Sequence, residues 1–211
     1  MVDRPTAKAE LGRYPRMDIS HELQEAMMAA ERALTEAKRT DHVYGVRAGA
    51  GPIAPWPTAP CKIVFLDFDG VLNSEQSVQQ SGTRYRFSKG SVAALNEILH
   101  QTDARIVITS SWRGSWTLTE NASFLKRDGV ISNRVVGKTK ALEKERGWEI
   151  DAWLRSAPYV VESFVILDDR DDMLMHRERL VIVNPQVGLT MTQARQAIEI
   201  MTRPWTGTGK K

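Results

Sequence analysis

From Cys61 onward, short apolar runs rich in β-branched residues alternate with stretches of good helix formers, and this alternation constrains the fold more than any other feature of the chain. The apolar runs fall at residues 63–66, 105–109, 135–136, 164–167 and 180–183, with helical stretches expected at 89–101, 117–126, 148–155, 171–178 and 190–201. Runs that are apolar at every position, not at every second one, belong to strands buried on both faces. Their alternation with helices predicts an α/β fold of three layers, a parallel sheet of about five strands covered on both sides. Ligands of such sheets bind beyond the carboxyl ends of the strands. The residues that follow each apolar run therefore carry the functional information.

Residues 1–60 read differently. Leu23, Met27, Ala30 and Leu34 recur at helical spacing within an amphipathic stretch over 20–39, with Ser20 placed to cap it. Gly45, Gly51, Pro52, Pro55, Pro57 and Pro60 then form a Pro/Gly-rich linker in which Trp56 is a possible anchor. An N-terminal helical extension over 1–60 and one domain over 61–211 are expected. The helix is expected to dock on its own domain or to mediate self-association; no stable partner is predictable. The lone cysteine, Cys61, excludes an internal disulfide framework and a Cys-rich zinc site. No apolar run reaches the ~18–20 residues that span a bilayer, so a cytoplasmic protein with no membrane contact is expected. Net charge is +3, and its surplus lies after Pro60, where 21 basic residues face 18 acidic ones. So small an excess says little about partners.

The carboxylates fall where ligands should bind. The run 63–66 ends in Asp67-Phe68-Asp69-Gly70, and the run 164–167 ends in Asp168-Asp169. Parallel strands place both clusters at one edge of the sheet. Carboxylates gathered there repel one another and are costly to bury unless a cation joins them. A hard divalent ion suits oxygen ligands in that number, with Mg2+ usual beside a phosphate. Either cluster alone is equally well explained as a cap or turn. Both together, at the ends of two buried strands, are not.

In order along the chain, Asp67-Phe68-Asp69-Gly70-Val71-Leu72, Thr109-Ser110-Ser111 closing a strand, Arg146 opening a helix, and Asp168-Asp169 resemble the four signatures of the haloacid dehalogenase (HAD) superfamily. Ser111-Trp112-Arg113, Arg146-Gly147-Trp148-Glu149-Ile150 and Val187-Gly188-Leu189-Thr190 resemble one branch of it, the HAD domain of RNA-repair and polynucleotide end-healing proteins. The resemblance implies a Rossmann-like HAD fold and a Mg2+-dependent phosphatase. Asp67 would be the nucleophile, forming an aspartyl-phosphate, and Asp69 the general acid and base. Thr109, or Ser110 in its place, would bind a phosphoryl oxygen, and Arg146 would add positive charge. Asp67, Asp69 through its backbone carbonyl, Asp168 and Asp169 would hold the metal. A kinase or ligase module would need a Gly-rich phosphate loop, and the chain has none.

The segment from Asn73 to Ser88 is only about sixteen residues long, which predicts a minimal cap and an open site. That favours a large or extended phosphorylated substrate such as a nucleic-acid end or a protein over a small enclosed metabolite, with Arg84, Tyr85 and Arg86 in the flap; a polynucleotide end or nucleotide is the favoured substrate class. Arg113 is expected either to grip a phosphate as a bidentate fork or to pair with a nearby acid. Lys138 and Lys140 are stand-ins for Arg146. Trp112, Trp116, Trp148 and Trp153 can pack helices on the sheet or stack on a base. His21, His42, His100 and His176 show no ligand spacing. The competing readings are a small-molecule or protein phosphatase, and a scaffold protein with a silent HAD domain.

Overall fold

The all-apolar runs do form the interior of one sheet. In the computed structural model, which describes residues 54–207 apart from 56 and 143, five parallel strands run in the order β3-β2-β1-β4-β5. They are β1 (Cys61–Leu66), β2 (Arg105–Ile108), β3 (Val135–Lys138), β4 (Val161–Asp168) and β5 (Leu180–Ile182). The helices are α1 (Glu75–Ser81), α2 (Lys89–Thr102), α3 (Leu118–Arg127), α4 (Arg146–Ser156) and α5 (Met191–Met201). The helix expected over 20–39 and the anchor expected at Trp56 lie outside the described residues.

Successive side chains of a strand point to opposite faces, and each strand here feeds two cores. Val64, Leu66, Ile106, Ile108, Val165 and Leu167 pack under α2, α3 and α5. Ile63, Phe65, Val107, Phe164 and Ile166 pack under Ile150, Trp153 and Leu154 of α4. Phe65 meets Trp153 and Phe164 edge-on, at ring-centroid distances of 5.3 and 5.6 Å. Fully burying one such side chain stabilises by about 1.5–3 kcal/mol. The result is the expected three-layer HAD-like architecture. Helix starts follow from local chemistry: the Ser88 hydroxyl caps α2, while Thr117 with Glu120 and Thr190 with Gln193 form capping boxes on α3 and α5.

The chain leaves β1 on one side for β2 and β3, then returns through α4 to β4 on the other side. The two neighbouring strands thus send their connections in opposite directions, opening a crevice beyond their carboxyl ends. Leu66 pairs with Leu167, so Asp67 and Asp168 leave the sheet side by side.

Two expectations change. The flap between Asn73 and Ser88 is not merely a link. It holds the seven-residue α1, capped by Ser74 and closed by Gly82, and tied to the loop after β5 through Glu75 N–H to Pro185 O at 2.9 Å. No inserted domain follows β1 or β2 among the described residues, so the minimal cap stands. The helix expected over 171–178 is a short 3-10 helix, Leu174–Arg179. Asp172 is occupied in receiving the first N–H groups of α4, and Leu174 takes a positive φ of 52°, so no regular helix can begin sooner. No helix among the described residues is long and apolar enough to cross a membrane.

Candidate active site

The loop that follows β1 is bent around one carbonyl. Phe68 O accepts N–H groups from Val71, Leu72 and Asn73, at 3.1, 2.8 and 3.2 Å. The turn requires φ of 75° at Gly70, and a Cβ there would lie 2.6 Å from Asp169 Oδ2. Only glycine serves both demands. The turn presents Asp67 and Asp69 in different settings. Asp67 is buried; Phe68 N–H donates to its Oδ1 at 2.7 Å. Asp69 is half-buried, and both its oxygens are held: Asn73 Nδ2 donates to Oδ1 at 2.8 Å and Trp112 Nε1 to Oδ2 at 2.9 Å. Trp112 is itself fixed by Phe68, Phe87 and Phe124 around its ring.

Asp168 ends β4 and has no exposed surface. Its Oδ2 accepts no hydrogen bond, although Arg146 Nη1 lies 3.1 Å away as an ion pair. Burial, reinforced by the charge of Asp67, pushes the Asp168 carboxyl up to about 7; Arg146 and the Arg170 N–H oppose the rise. The same two causes, burial first, raise Asp169. Carboxylate oxygens of Asp67, Asp168 and Asp169 lie within 4.8 Å of one another. Both members of the Asp168-Asp169 pair therefore belong to the cluster, whereas the Asp69 carboxylate is turned to Asn73 and Trp112.

Arg146 projects from the first turn of α4 into this cluster. Its Nη1 lies 3.3 Å from Asp67 Oδ2 and donates to Thr109 O at 2.6 Å. Burial alone lowers its pKa, but Asp67, Asp168 and Glu149 outweigh that and the net direction is upward. Helix α4 can start here because Gly147 lets its first turn press on the Met173 carbonyl, which any Cβ would overlap. Asp172 closes the helix end by accepting the Arg146 N–H at 3.2 Å. The Thr109 hydroxyl, which is completely buried, has no partner. Ser110 Oγ instead accepts the Trp112 N–H at 3.4 Å, capping the 3-10 turn Ser111–Gly114.

Arg113 is where the expected fork meets its other explanation. It is buried, with Nη2 paired to Glu149 Oε2 and Nη1 donating to the Thr109 and Ser110 carbonyls. The guanidinium edge that could have gripped a phosphate is occupied from within, and only Nε lacks an acceptor. Desolvation is the main cause of its lowered pKa.

Lys138 does not replace Arg146, because its amino group points to the Arg113 and Trp116 carbonyls, at 3.0 and 3.2 Å. Lys140 is exposed. In the flap, Arg84 and Tyr85 are exposed, Tyr85 lying against the Trp112 ring, while Arg86 pairs with Asp128 at 3.0 Å. Trp112 and Trp153 are packing residues, Trp116 lies half-buried against Phe124, and Trp148 is exposed. His176 is buried against Phe164, and His100 is exposed; neither touches the acidic cluster.

Sequence reasoning missed Asn73, Glu149 and Asp172 as parts of this site, and for Trp112, expected to pack or to stack on a base, it missed the hydrogen bond to Asp69. For Glu149 a signal existed, since it lies three residues after Arg146 on the same helical face. A family model described as the HAD domain in Swiss Army Knife RNA repair proteins matches residues 63–194. No curated protein matches the chain.

Proposed function

Because the chain belongs to this family of HAD domains from RNA repair proteins, we propose that it is a Mg2+-dependent phosphomonoesterase acting through an aspartyl-phosphate on Asp67, with a nucleic-acid end or nucleotide phosphate as substrate. The observation that carries this reading is the gathering of the Asp67, Asp168 and Asp169 carboxylates, the first two buried against Arg146, whose Nη1 also donates to the carbonyl of Thr109, a residue with a buried and unpartnered hydroxyl. So much negative charge at the end of a sheet is destabilising for the fold alone, and an all-oxygen donor set fits a hard cation.

Asp67, Asp168 and Asp169, with the backbone carbonyl of Asp69, would hold Mg2+. When bound, the ion supplies neutralisation of phosphoryl charge. A carboxylate oxygen of Asp67 attacks phosphorus, and the bond to the leaving oxygen breaks as Asp69 gives that oxygen a proton. Asp69 then takes a proton from water, whose oxygen attacks phosphorus; the bond to Asp67 breaks and inorganic phosphate leaves. Thr109 Oγ1 donates to a phosphoryl oxygen. Arg146 balances charge beside Asp67 throughout. Trp112 and Asn73 keep the Asp69 carboxyl aimed, and Glu149 with Arg113 fixes the floor on which Arg146 rests.

The direct test is hydrolysis of an aryl phosphate by the full chain with and without Mg2+. Turnover that needs the metal and disappears in Asp67→Asn is expected. Equal turnover by wild type and Asp67→Asn would end the nucleophile assignment.

A further inference from the structure

A cavity of about 210 Å³ opens beside the acidic cluster, lined by Ser111, Arg113, Gly114, Ala141, Lys144, Arg146, Glu149 and Arg170. We infer that this cavity, walled by Arg113, Lys144, Arg146 and Arg170, is a subsite for a second, non-reacting phosphate of the substrate. The inference rests on the phosphatase reading and narrows it to substrates carrying two neighbouring phosphates.

The lining has four basic side chains against one acid, Glu149. Their commitments differ. Arg146 answers Asp67 and Asp168, and Arg170 pairs with Asp172. Arg113 is bound to Glu149, yet its buried Nε keeps a hydrogen atom with no acceptor. Lys144 is exposed and has no ion pair among the described residues. A cavity lining with four basic side chains, one of them an unneutralised ammonium, against a single acid suits an anion. Arg146 forms the shared wall. One nitrogen of its guanidinium lies 3.3 Å from the Asp67 carboxylate, while the same side chain lines the cavity. A phosphoryl group at Asp67 and an anion in the cavity would thus both border one arginine.

Size limits the ligand further. Pockets that enclose a whole drug-sized ligand run to roughly 300–1,000 Å³. This cavity has room for a phosphate with its ester links, and its lining offers no aromatic ring for a base to stack on. Discrimination should therefore follow the number and position of phosphates rather than base identity. Two sources share this chemistry, the phosphodiester of a nucleic-acid strand and the second phosphate of a nucleoside bisphosphate.

The experiment is steady-state kinetics of the full chain with Mg2+ on five substrates. These are an aryl phosphate, a nucleoside monophosphate, a nucleoside bisphosphate, a terminally phosphorylated dinucleotide, and that dinucleotide with an uncharged methylphosphonate link. Both 3′- and 5′-phosphorylated forms are used. At least one two-phosphate substrate is expected to exceed the nucleoside monophosphate in kcat/KM by about tenfold. The margin should shrink with added salt, with the methylphosphonate link, and in Lys144→Glu, while Lys144→Arg keeps it. A margin for the dinucleotide alone identifies a strand phosphodiester, and one for the bisphosphate alone a small nucleotide; both support the subsite. Equal kcat/KM for one- and two-phosphate substrates, or a Lys144→Glu loss spread evenly over all five, overturns it and leaves the phosphatase intact. Absence of Asp67-dependent aryl phosphate turnover overturns both.

Discussion

The two edges of the sheet each carry a cavity, and the larger one is lined by surface charge. At the amino ends of the strands, a cavity of about 480 Å³ lies among Pro55, Pro57, Pro60, Lys62, Asp103, Arg105 and Glu162. The charges there are on the surface: the Asp103 side chain is 77% exposed beside Arg134, and Lys62 stands 4.0 Å from Glu162. At the carboxyl ends the cavity is less than half that volume, but Arg146 and Asp168 are 5% and 0% exposed. Ion pairs in water are worth little, whereas buried charges are retained only under a strong constraint. Buried, imperfectly satisfied charge marks the candidate site; volume does not.

That contrast can be broken by substitution. Asp67→Asn should lower Mg2+-dependent phosphatase turnover roughly ten-thousand-fold, by analogy with removal of catalytic groups acting as a unit, and Asp103→Asn should leave turnover as in wild type. Comparable losses at the two edges in the same kinetic assay would erase the distinction.

The next effect is on stability. Arg113→Met leaves Glu149 buried without its closest partner and should destabilise by about 3–5 kcal/mol in denaturant unfolding. Adding Glu149→Gln should recover part of the loss, because the stranded charge is gone. A smaller loss from Arg113→Met than from Asp103→Asn would refute the ranking.

A pH dependence sharpens the comparison further. The Asp168 carboxyl is about 3.8 when unfolded and about 7 when folded, so the metal-free native state binds the extra proton between these values. Stability from this group is therefore full below about pH 4 and is lost as pH rises through 7, by at most about 4 kcal/mol. Asp168→Asn should flatten that part of the profile measured by thermal unfolding in EDTA. Asp103 has the opposite sign: the Arg134 hydrogen bond holds it below its usual value, so its contribution is lost in acid.

Smaller still is the expected effect of Trp112→Phe. The ring stays to pack on Phe68 and Phe124, but the N–H donor to Asp69 is lost. A fall in kcat of about tenfold with KM little changed is expected, since the bond aims an acid and does not bind substrate. Smallest is Asp103→Asn itself, below about 1 kcal/mol by double-mutant cycle with Arg134.

The sheet and the position of its carboxylates were legible along the chain. Continuous burial made residues 63–66 and 164–167 strands, and the rule that ligands bind at strand carboxyl ends put Asp67 and Asp168 at one edge. These are local or periodic properties, set by residues within a few positions of one another. Lengths were less legible, as at β3, whose Gly137 and Lys138 lie in a strand that the expected run ended at Val136.

What the linear pattern could not decide was partnership. Trp112 reaches Asp69 across 43 residues, and Glu149 reaches Arg113 across 36. Nothing local marks either pair, because each forms only when β1, β2 and α4 are brought together by the sheet order. The same assembly turned Arg113 inward from the role of an open phosphate fork and left the Thr109 hydroxyl unpartnered while Ser110 capped a turn. Hydrophobic periodicity chose the fold; the low-dielectric edge that the fold created chose which charges must meet.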